Sequence, residues 1–179
     1  PIYGGISWDR LDNGGLQWPC LDKSHPGTQF LHKENFSSGL GNFVAVDFTP
    51  QAEEPDENYP MILTTGRLLF HFHTGTMTRK SPTLTIQAPE GYVEINPEDA
   101  ARLTISDGAQ VKVKSRRGEI KSKAFLTPIV PEGTVFIPFH FAESPANILT
   151  NPALDPKSKI PELKVCAVKV EKIESGNVC

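Results

Sequence analysis

Cysteine is scarce in this sequence, and it has neither long apolar runs nor a strong net charge of either sign. Three cysteines occur in 179 residues, far apart, so they can form neither a disulfide framework nor a CxxC metal motif. A formal net charge of −3 gives no general attraction to nucleic acid or to anionic membranes. The longest apolar stretches, such as residues 134–141, fall far short of the roughly 20 residues of a membrane-spanning helix. The sequence therefore predicts no nucleic-acid partner, no membrane insertion and a reducing, cytoplasmic compartment, unless an export signal lies on a longer parent chain.

The first 58 residues lack regular periodicity. They begin without methionine and without the basic start and apolar core of a signal peptide, which suggests a piece cut from a longer protein. They are dense in Gly, Pro, Asn and Asp, which indicates an irregular arm and linker over residues 1–58. The arm nevertheless carries large aromatic side chains such as Trp8 and Trp18, and these usually need a surface to bury against. We therefore expect the arm to pack on another domain.

Residues 59–179 have the pattern of a small β domain. A hairpin is predicted where Val111 and Val113 alternate with lysines before an SRRG turn. A helix is predicted from Asn96, a good N-cap followed by proline and two acidic residues. Six or so short strands with one or two short helices favour a closed β barrel, because closure removes exposed sheet edges. The other predicted strands cover residues 61–65, 84–87, 92–95, 120–126, 135–138 and 165–173.

Residues 66–80 have the composition of an anion-binding loop. Glycines at 66 and 75 allow the backbone to turn, and threonines and the cations Arg67, Arg79 and Lys80 supply donors. Exposed amides, hydroxyls and guanidinium groups are the donors that bind phosphate oxygens. A polar surface loop is the alternative interpretation of the same residues.

The same loop contains a His-x-His pair, His71 and His73, whose side chains would point the same way on a strand and could bind zinc. The third ligand would have to be His140 or a carboxylate. Because no second metal-binding spacing accompanies the pair, no metal site is predicted.

Two further segments carry polar side chains. Residues 138–152 leave a strand through aromatic residues and contain Asn147 and Asn151, whose amides could recognise the edge of a heterocycle or could simply make turns. Arg116 and Arg117 lie at the predicted hairpin tip, where solvated charge is the usual explanation, so no function is assigned to them.

Three long segments resemble the C-terminal domain of molybdopterin oxidoreductases, in particular that of the formate dehydrogenase catalytic subunit. They are LTTGRLLFHFHTGTMTRK, VEINPEDAARLTISDGAQVKVKSRRGEI and VFIPFHFAESPANILTNPALDPKSKIPELKVCAVKVE. In the arm, GLQWPC, HPGTQFLH and FVAVDFTP resemble the segment that leads into that domain. The resemblance implies a double-psi β barrel that binds molybdopterin guanine dinucleotide, in a parent enzyme that holds molybdenum or tungsten between two such cofactors.

The resemblance also implies the cofactor-binding residues, residue by residue. The family's metal ligand, iron–sulfur motif and substrate-binding residues cannot be located here, so the chain alone is expected to be inactive. The parent would oxidise formate to carbon dioxide, and its partners would be its own other domains and iron–sulfur or other electron-transfer subunits. The implied cofactor-binding residues are Gly66, Arg67, His73, Thr74, Gly75, Thr76, Met77, Arg79, Phe141, Asn147, Thr150 and Lys164.

Two other interpretations remain open at this point. A nitrate reductase or related molybdenum enzyme shares the barrel, although GLQWPC and HFHTGTMTR favour formate dehydrogenase. A stand-alone barrel that acts as an interaction module would instead expose an apolar patch near the arm. The choice between molybdenum and tungsten, the electron acceptor and the oligomeric state are not encoded in recognisable motifs.

Overall fold

A computed structural model describes residues 1–174, and in it the chain divides into two compact units, residues 1–48 and residues 49 onward. The first unit contains one short helix, α1 (Trp8–Leu11), and is otherwise built from turns. Arg10 holds part of it together by donating to the carbonyl oxygens of Gly5 and His25, at 2.5 and 2.8 Å. The irregular secondary structure expected from composition is therefore observed in residues 1–48, but they form a compact unit, and an arm and linker over residues 1–58 stay a prediction. Trp8 and Phe43 are exposed within this unit.

The second unit is mainly β. Among the described residues its strands are β1 (Met61–Gly66), β2 (Tyr92–Ile95), β3 (Gln110–Lys114), β4 (Glu119–Leu126), β5 (Thr134–Pro138) and β6 (Cys166–Lys172). Its helices are α2 (Pro82–Gln87), α3 (Pro97–Arg102) and two 3-10 turns, Thr78–Lys80 and Ala146–Ile148. No helix within residues 1–174 is long and apolar enough to cross a membrane.

The six strands close into a barrel in the order β1-β5-β2-β4-β3-β6, with β6 returning to β1. Two neighbouring pairs, β1–β5 and β2–β4, are parallel, and the other four pairs are antiparallel. Parallel neighbours cannot be joined by a tight hairpin, so the chain must cross the barrel between them. The closed barrel confirms the mainly β fold class predicted from the sequence.

The barrel interior is filled by alternate residues of each strand. Leu63, Ile95, Val113, Ile137 and Val168 are each at most 1% exposed. Alternation with period two is what one buried face of a strand requires, and it is the pattern from which the β3–β4 hairpin was predicted. The other strands were predicted from short apolar, β-prone runs bounded by turn residues. Removing these apolar side chains from water is the main source of the barrel's stability.

Helix α3 begins where it was predicted to begin. The Asn96 side chain accepts a hydrogen bond from the Glu98 amide at 3.0 Å and donates to the Val130 carbonyl oxygen at 2.9 Å. The strand predicted for residues 84–87 is wrong, because these residues belong to α2. Pro82 occupies the first turn of α2, where its fixed φ suits a helix, and the Thr85 amide donates to the Ser81 carbonyl oxygen at 3.0 Å.

The hairpin tip between β3 and β4 is not merely solvated, which corrects the sequence-based interpretation. Nε and a terminal nitrogen of Arg117 both donate to the Leu149 carbonyl oxygen, at 3.0 and 2.8 Å. Arg116 and Arg117 both pair with Glu53. Burial raises the pKa of Glu53, but the hydrogen bonds from Arg117 and Arg116, the positive charge of Arg117 and a hydrogen bond with the Ala167 backbone together lower it by more, so that its pKa lies below the ordinary value. The linker predicted near residues 49–58 is therefore attached to the barrel at Glu53. The domain boundary at residue 58 remains a prediction. The predicted barrel domain, residues 59–179, ends in residues 175–179, which lie outside the described residues.

We predict that Arg117→Ala destabilises the barrel by about 1 to 3 kcal/mol, because the carbonyl oxygen of buried Leu149 loses both of its donors. Urea unfolding followed by circular dichroism measures the change. Lys121→Ala is the control, since Lys121 lies exposed on the neighbouring strand and makes no ion pair among the described residues. Equal unfolding free energies for the two variants would show that the Arg117 contacts do not stabilise the barrel.

Candidate functional site

The parallel pairing of β1 with β5 brings two loops to one end of the barrel. Gly66, the last residue of β1, lies beside Pro138, the last residue of β5. Because both strands run the same way, the loops that follow them, residues 67–80 and 139–150, leave the barrel side by side. These are the two segments in which the sequence placed almost all of the expected cofactor contacts.

A cleft of about 650 Å³ opens between these loops. Five of the twelve residues predicted for cofactor binding line it, and they come from distant parts of the chain. Six of its eight lining residues have polar side chains, but most of the wall surface is apolar, and Phe139 and Leu163 contribute to it. The predicted residues are Arg67, His73, Thr74, Asn147 and Lys164, and Thr65 completes the lining. A smaller cleft of about 190 Å³ shares Thr74 and Asn147 with the first and is also lined by Phe141.

Two cations face this cleft with donors available for a ligand. The Arg67 guanidinium lies 6.0 Å from the centre of the Phe139 ring and makes no ion pair with any residue described. The Lys164 ammonium also lies 6.0 Å from this ring and donates to the Thr65 carbonyl oxygen at 2.5 Å, which leaves two of its three hydrogens free. A guanidinium and an ammonium that both lie near one aromatic ring suit an anionic ligand with a flat portion.

The loop after β1 is fastened by His140, which belongs to the loop after β5. The Leu68 amide donates to His140 Nε2 at 2.7 Å, and His140 Nδ1 donates to the His73 carbonyl oxygen. Burial lowers the pKa of His140 below its ordinary value, and the nearby His71, Arg67 and His73 lower it further. His140 is therefore a neutral imidazole that bridges the two loops.

His71 is also engaged within the protein. Its Nε2 donates to the Ala88 carbonyl oxygen at 2.7 Å, and its Nδ1 accepts from the Thr78 hydroxyl at 3.1 Å. The Thr78 oxygen in turn accepts from the Phe72 amide at 3.1 Å. These contacts use both ring nitrogens, so the structure gives no support to a His71–His73 zinc pair, and residues 1–174 contain no cluster of three metal-binding side chains.

The two glycines of the loop are required by the protein's own packing. A Cβ at Gly66 would lie 2.4 Å from the Phe136 ring, and a Cβ at Gly75 would lie 2.7 Å from the Arg79 side chain and 2.9 Å from the His140 carbonyl oxygen. Gly75 also has a φ of 75°, which residues with a side chain rarely adopt. Both glycines are buried, so they shape the loop from behind, and a direct ligand contact at either one remains a prediction.

Arg79 and Phe141 also lie behind the cleft. Both terminal nitrogens of Arg79 donate to the Glu143 carboxylate, at 2.8 and 2.5 Å, and these bonds lower the pKa of Glu143. The Arg79 guanidinium stacks 5.1 Å from the centre of the Phe141 ring, and Phe141 is 1% exposed. This packing ties the 3-10 turn at 78–80 to the second loop, while the guanidinium is already neutralised.

The remaining predicted residues lie near the cleft without lining it. Thr76 and Met77 are exposed, and the Thr76 hydroxyl is 3.2 Å from that of Thr74. The Thr150 hydroxyl donates to the Asn147 carbonyl oxygen at 3.0 Å, which orients the turn that carries Asn147. A cofactor contact by these side chains stays a prediction.

Sequence reasoning missed Phe139 as a cleft residue and His140 as the bridge between the loops. Phe139 is one of several aromatic residues in the PFHF stretch, and alternation along β5 gives no signal for the loop that follows. His140 was noted only as a possible metal ligand. Its role depends on a contact with Leu68, 72 residues away in sequence, which no local pattern can reveal.

The comparisons with known proteins identify the family of the chain. Residues 61–167 match the family described as "Molydopterin dinucleotide binding domain", and the chain belongs to that family. Membership confirms the resemblance and the molybdopterin dinucleotide cofactor expected from the sequence.

Among curated proteins, the chain is 54% identical over 175 residues to the F420-dependent formate dehydrogenase subunit alpha of Methanocaldococcus jannaschii, covering 97% of the chain and 26% of the relative. It is 41% identical over 175 residues to the assimilatory nitrate reductase catalytic subunit of Bacillus subtilis, covering 94% of the chain and 24% of that protein. Acetylene hydratase from Pelobacter acetylenicus shares the fold, with a TM-score of 0.56 at 22% identity over 64% of the chain and 18% of that protein. The chain thus spans about a quarter of the curated relatives' length.

We predict that Gly75→Ala lowers both the free energy of unfolding of the barrel and its cofactor content. The new Cβ would collide with the Arg79 side chain and the His140 carbonyl oxygen, and the alanine would have to adopt an unfavourable positive φ. Gly108→Ala is a matched control, since Gly108 has a φ of 73° with nothing within 4 Å of its Cβ position. The free energy of unfolding of the control should fall only by the cost of a positive φ for alanine, about 1 to 2 kcal/mol. Unfolding free energies and pterin content of both variants provide the measurement, and equal losses would show that the close approach at Gly75 is unimportant.

Proposed function

We propose that this chain is the cofactor-binding domain of a formate dehydrogenase catalytic subunit, and that the cofactor is molybdopterin guanine dinucleotide. The proposed parent oxidises formate to carbon dioxide with release of two electrons and a proton. The observation that carries the proposal is the convergence of Arg67, Lys164, Thr74 and Asn147 on one cleft at the end of the barrel. The 54% identity to a formate dehydrogenase subunit supports formate as the substrate.

The donors around the cleft fit the chemistry of a guanine dinucleotide. Arg67 and Lys164 supply two positive charges, which suit the pyrophosphate. The Asn147 amide can donate and accept at once, which suits the edge of a guanine, and the Thr74 hydroxyl adds an uncharged donor. The bound cofactor supplies the redox chemistry, with molybdenum or tungsten, while the residues of this chain bind and orient it.

A nitrate reductase is the second candidate, because the chain is also 41% identical to the catalytic subunit of an assimilatory nitrate reductase. The higher identity to formate dehydrogenase favours formate. Assays of the full subunit with formate and a dye acceptor, and with nitrate and a dye donor, distinguish the two. Turnover with nitrate but not with formate would overturn the proposal.

The partners and compartment of the parent are part of the proposal. The other domains of the same subunit are the first partners, because the chain corresponds to about a quarter of its relatives. Iron–sulfur or other electron-transfer subunits would accept the electrons. Two buried, unpaired thiols, Cys20 and Cys166, suit a reducing cytoplasm, and burial raises the pKa of Cys166 to about 11, which keeps it protonated.

In the full subunit, Arg67→Gln should lower cofactor affinity by about one to two decades, because a hydrogen bond to a charged partner is worth roughly 1.5 to 3 kcal/mol. The fluorescent pterin released per purified subunit measures cofactor content. Lys121→Gln removes one positive charge from an exposed position on β4 and serves as the control. Full cofactor content in the Arg67 variant would remove this residue from the binding site.

The isolated 179-residue chain should not oxidise formate, even after addition of cofactor, since no motif for the metal ligand, the iron–sulfur clusters or the substrate site is recognised in it. Dye reduction by purified chain, free of parent enzyme, is the assay. Formate-dependent dye reduction above the rate without formate would contradict the assignment as a cofactor-binding domain only.

A further inference from the structure

His140 makes two hydrogen bonds of opposite kind to one loop. Its Nε2 accepts from the Leu68 amide at 2.7 Å, and its Nδ1 donates to the His73 carbonyl oxygen. The two partners belong to the loop that follows β1, whereas His140 follows β5. A ring that accepts at one nitrogen and donates at the other is a neutral imidazole with its proton on Nδ1.

The two backbone groups held by His140 lie next to residues that line the cleft. Leu68 follows Arg67, and His73 precedes Thr74 and itself lines the cleft. His73 has a φ of 49°, a left-handed conformation that is uncommon for a residue with a side chain. The hydrogen bond from His140 to the His73 carbonyl oxygen is a contact that can hold it.

We infer that His140 positions the cofactor-binding loop, residues 67–75, and that protonation of His140 releases this loop and weakens cofactor binding. The link to cofactor binding rests on the proposed function, whereas the link to the loop does not. After protonation, Nε2 carries a hydrogen that points at the Leu68 N–H, so the Leu68 amide loses its acceptor and meets a positive charge.

The surroundings of His140 resist its protonation at neutral pH. Burial is the main reason that its pKa lies below the ordinary value of 6.5, and it outweighs the hydrogen bond to the His73 carbonyl oxygen, which raises the pKa. The charged and titratable groups facing it from the first loop are His71, whose ring centre is 5.7 Å away, Arg67 and His73. On its own loop, Glu143 is neutralised by Arg79.

Because the pKa of His140 is lowered in the folded protein, the loop should lose stability at acidic pH. The pKa of His140 is lower in the folded protein than in the unfolded chain, so the unfolded chain binds a proton first as the pH falls. The stabilisation of the loop is therefore complete above pH 6.5 and is lost as the pH falls below that value toward the pKa of the folded state. Cofactor retention should likewise be complete above pH 6.5 and fall as the pH decreases below that value.

Hydrogen exchange of the full subunit without cofactor, read by mass spectrometry, tests the loop directly. The readout is the protection factor of peptides covering residues 67–76 between pH 8 and pH 5, which removes the intrinsic pH dependence of amide exchange. We expect protection to fall about tenfold at acidic pH in the wild type, the loss of roughly one hydrogen bond. A peptide from β4 reports on global unfolding and should keep its protection.

Three variants decide the inference. His140→Gln keeps a donor and an acceptor but cannot be protonated, so its loop protection should not depend on pH, and His140→Ala should lose protection at every pH. His71→Gln is the comparison variant, because His71 is also buried but contacts Ala88 and Thr78 instead. Since the nearby His71 lowers the pKa of His140, the acid-induced loss of protection should remain in this variant and move to higher pH. An unchanged acid-induced loss in His140→Gln would overturn the inference. An equal loss of protection in the β4 peptide would also overturn it, because it would show that His140 supports the whole barrel rather than this loop.

Pterin content measured on the cofactor-loaded subunit over the same pH range separates this inference from the proposed function. If loop protection follows His140 but pterin content does not change with pH, the positioning role holds and the loop does not bind the cofactor. If pterin content falls at acidic pH in His140→Gln as in the wild type, His140 is not the group that controls cofactor retention, and this inference is wrong.

Discussion

The parallel pairing of β1 with β5 is the constraint on which the site depends. Because the two strands run in the same direction and end level, at Gly66 and Pro138, the loops that follow them must emerge together. An antiparallel pairing would send these loops to opposite ends of the barrel and separate Arg67 from Asn147. The barrel core, built from alternating residues such as Leu63 and Ile137, fixes this register, since a slip by one residue would turn the apolar side chains outward.

The strands and α3 could be predicted because their signals are local. Val111 and Val113 alternate with lysines, and Asn96 and Pro97 are adjacent cap and first-turn residues, so a short window contains all that is needed. The barrel's closure and its parallel pairs could not be derived from periodicity, which is silent on strand order. Residues 84–87 are a short β-prone run bracketed by proline and glycine, which predicts a strand, but Pro82 also suits the first turn of a helix, and α2 forms there.

For the site, composition singled out a loop that lines a cleft, whereas the contacts that some of its residues make within the protein could not be predicted. Arg79 looks like a phosphate ligand in the sequence, yet Glu143, 64 residues away, neutralises it. Arg117 looks solvated, yet it supports the Leu149 carbonyl oxygen, 32 residues away. Lys164 was expected only from the family resemblance, and the fold brings it to Thr65. Each of these outcomes depends on a contact between segments far apart in sequence, which local patterns do not contain.

If the cleft between the two loops holds the dinucleotide, a structure of the full subunit with its cofactor bound will show it there. We expect polar atoms of the dinucleotide within about 3.2 Å of the Arg67 guanidinium and the Lys164 ammonium, with the base edge at Asn147. A dinucleotide bound at the Arg116–Arg117 hairpin tip, with Arg67 and Lys164 left in solvent, would contradict it.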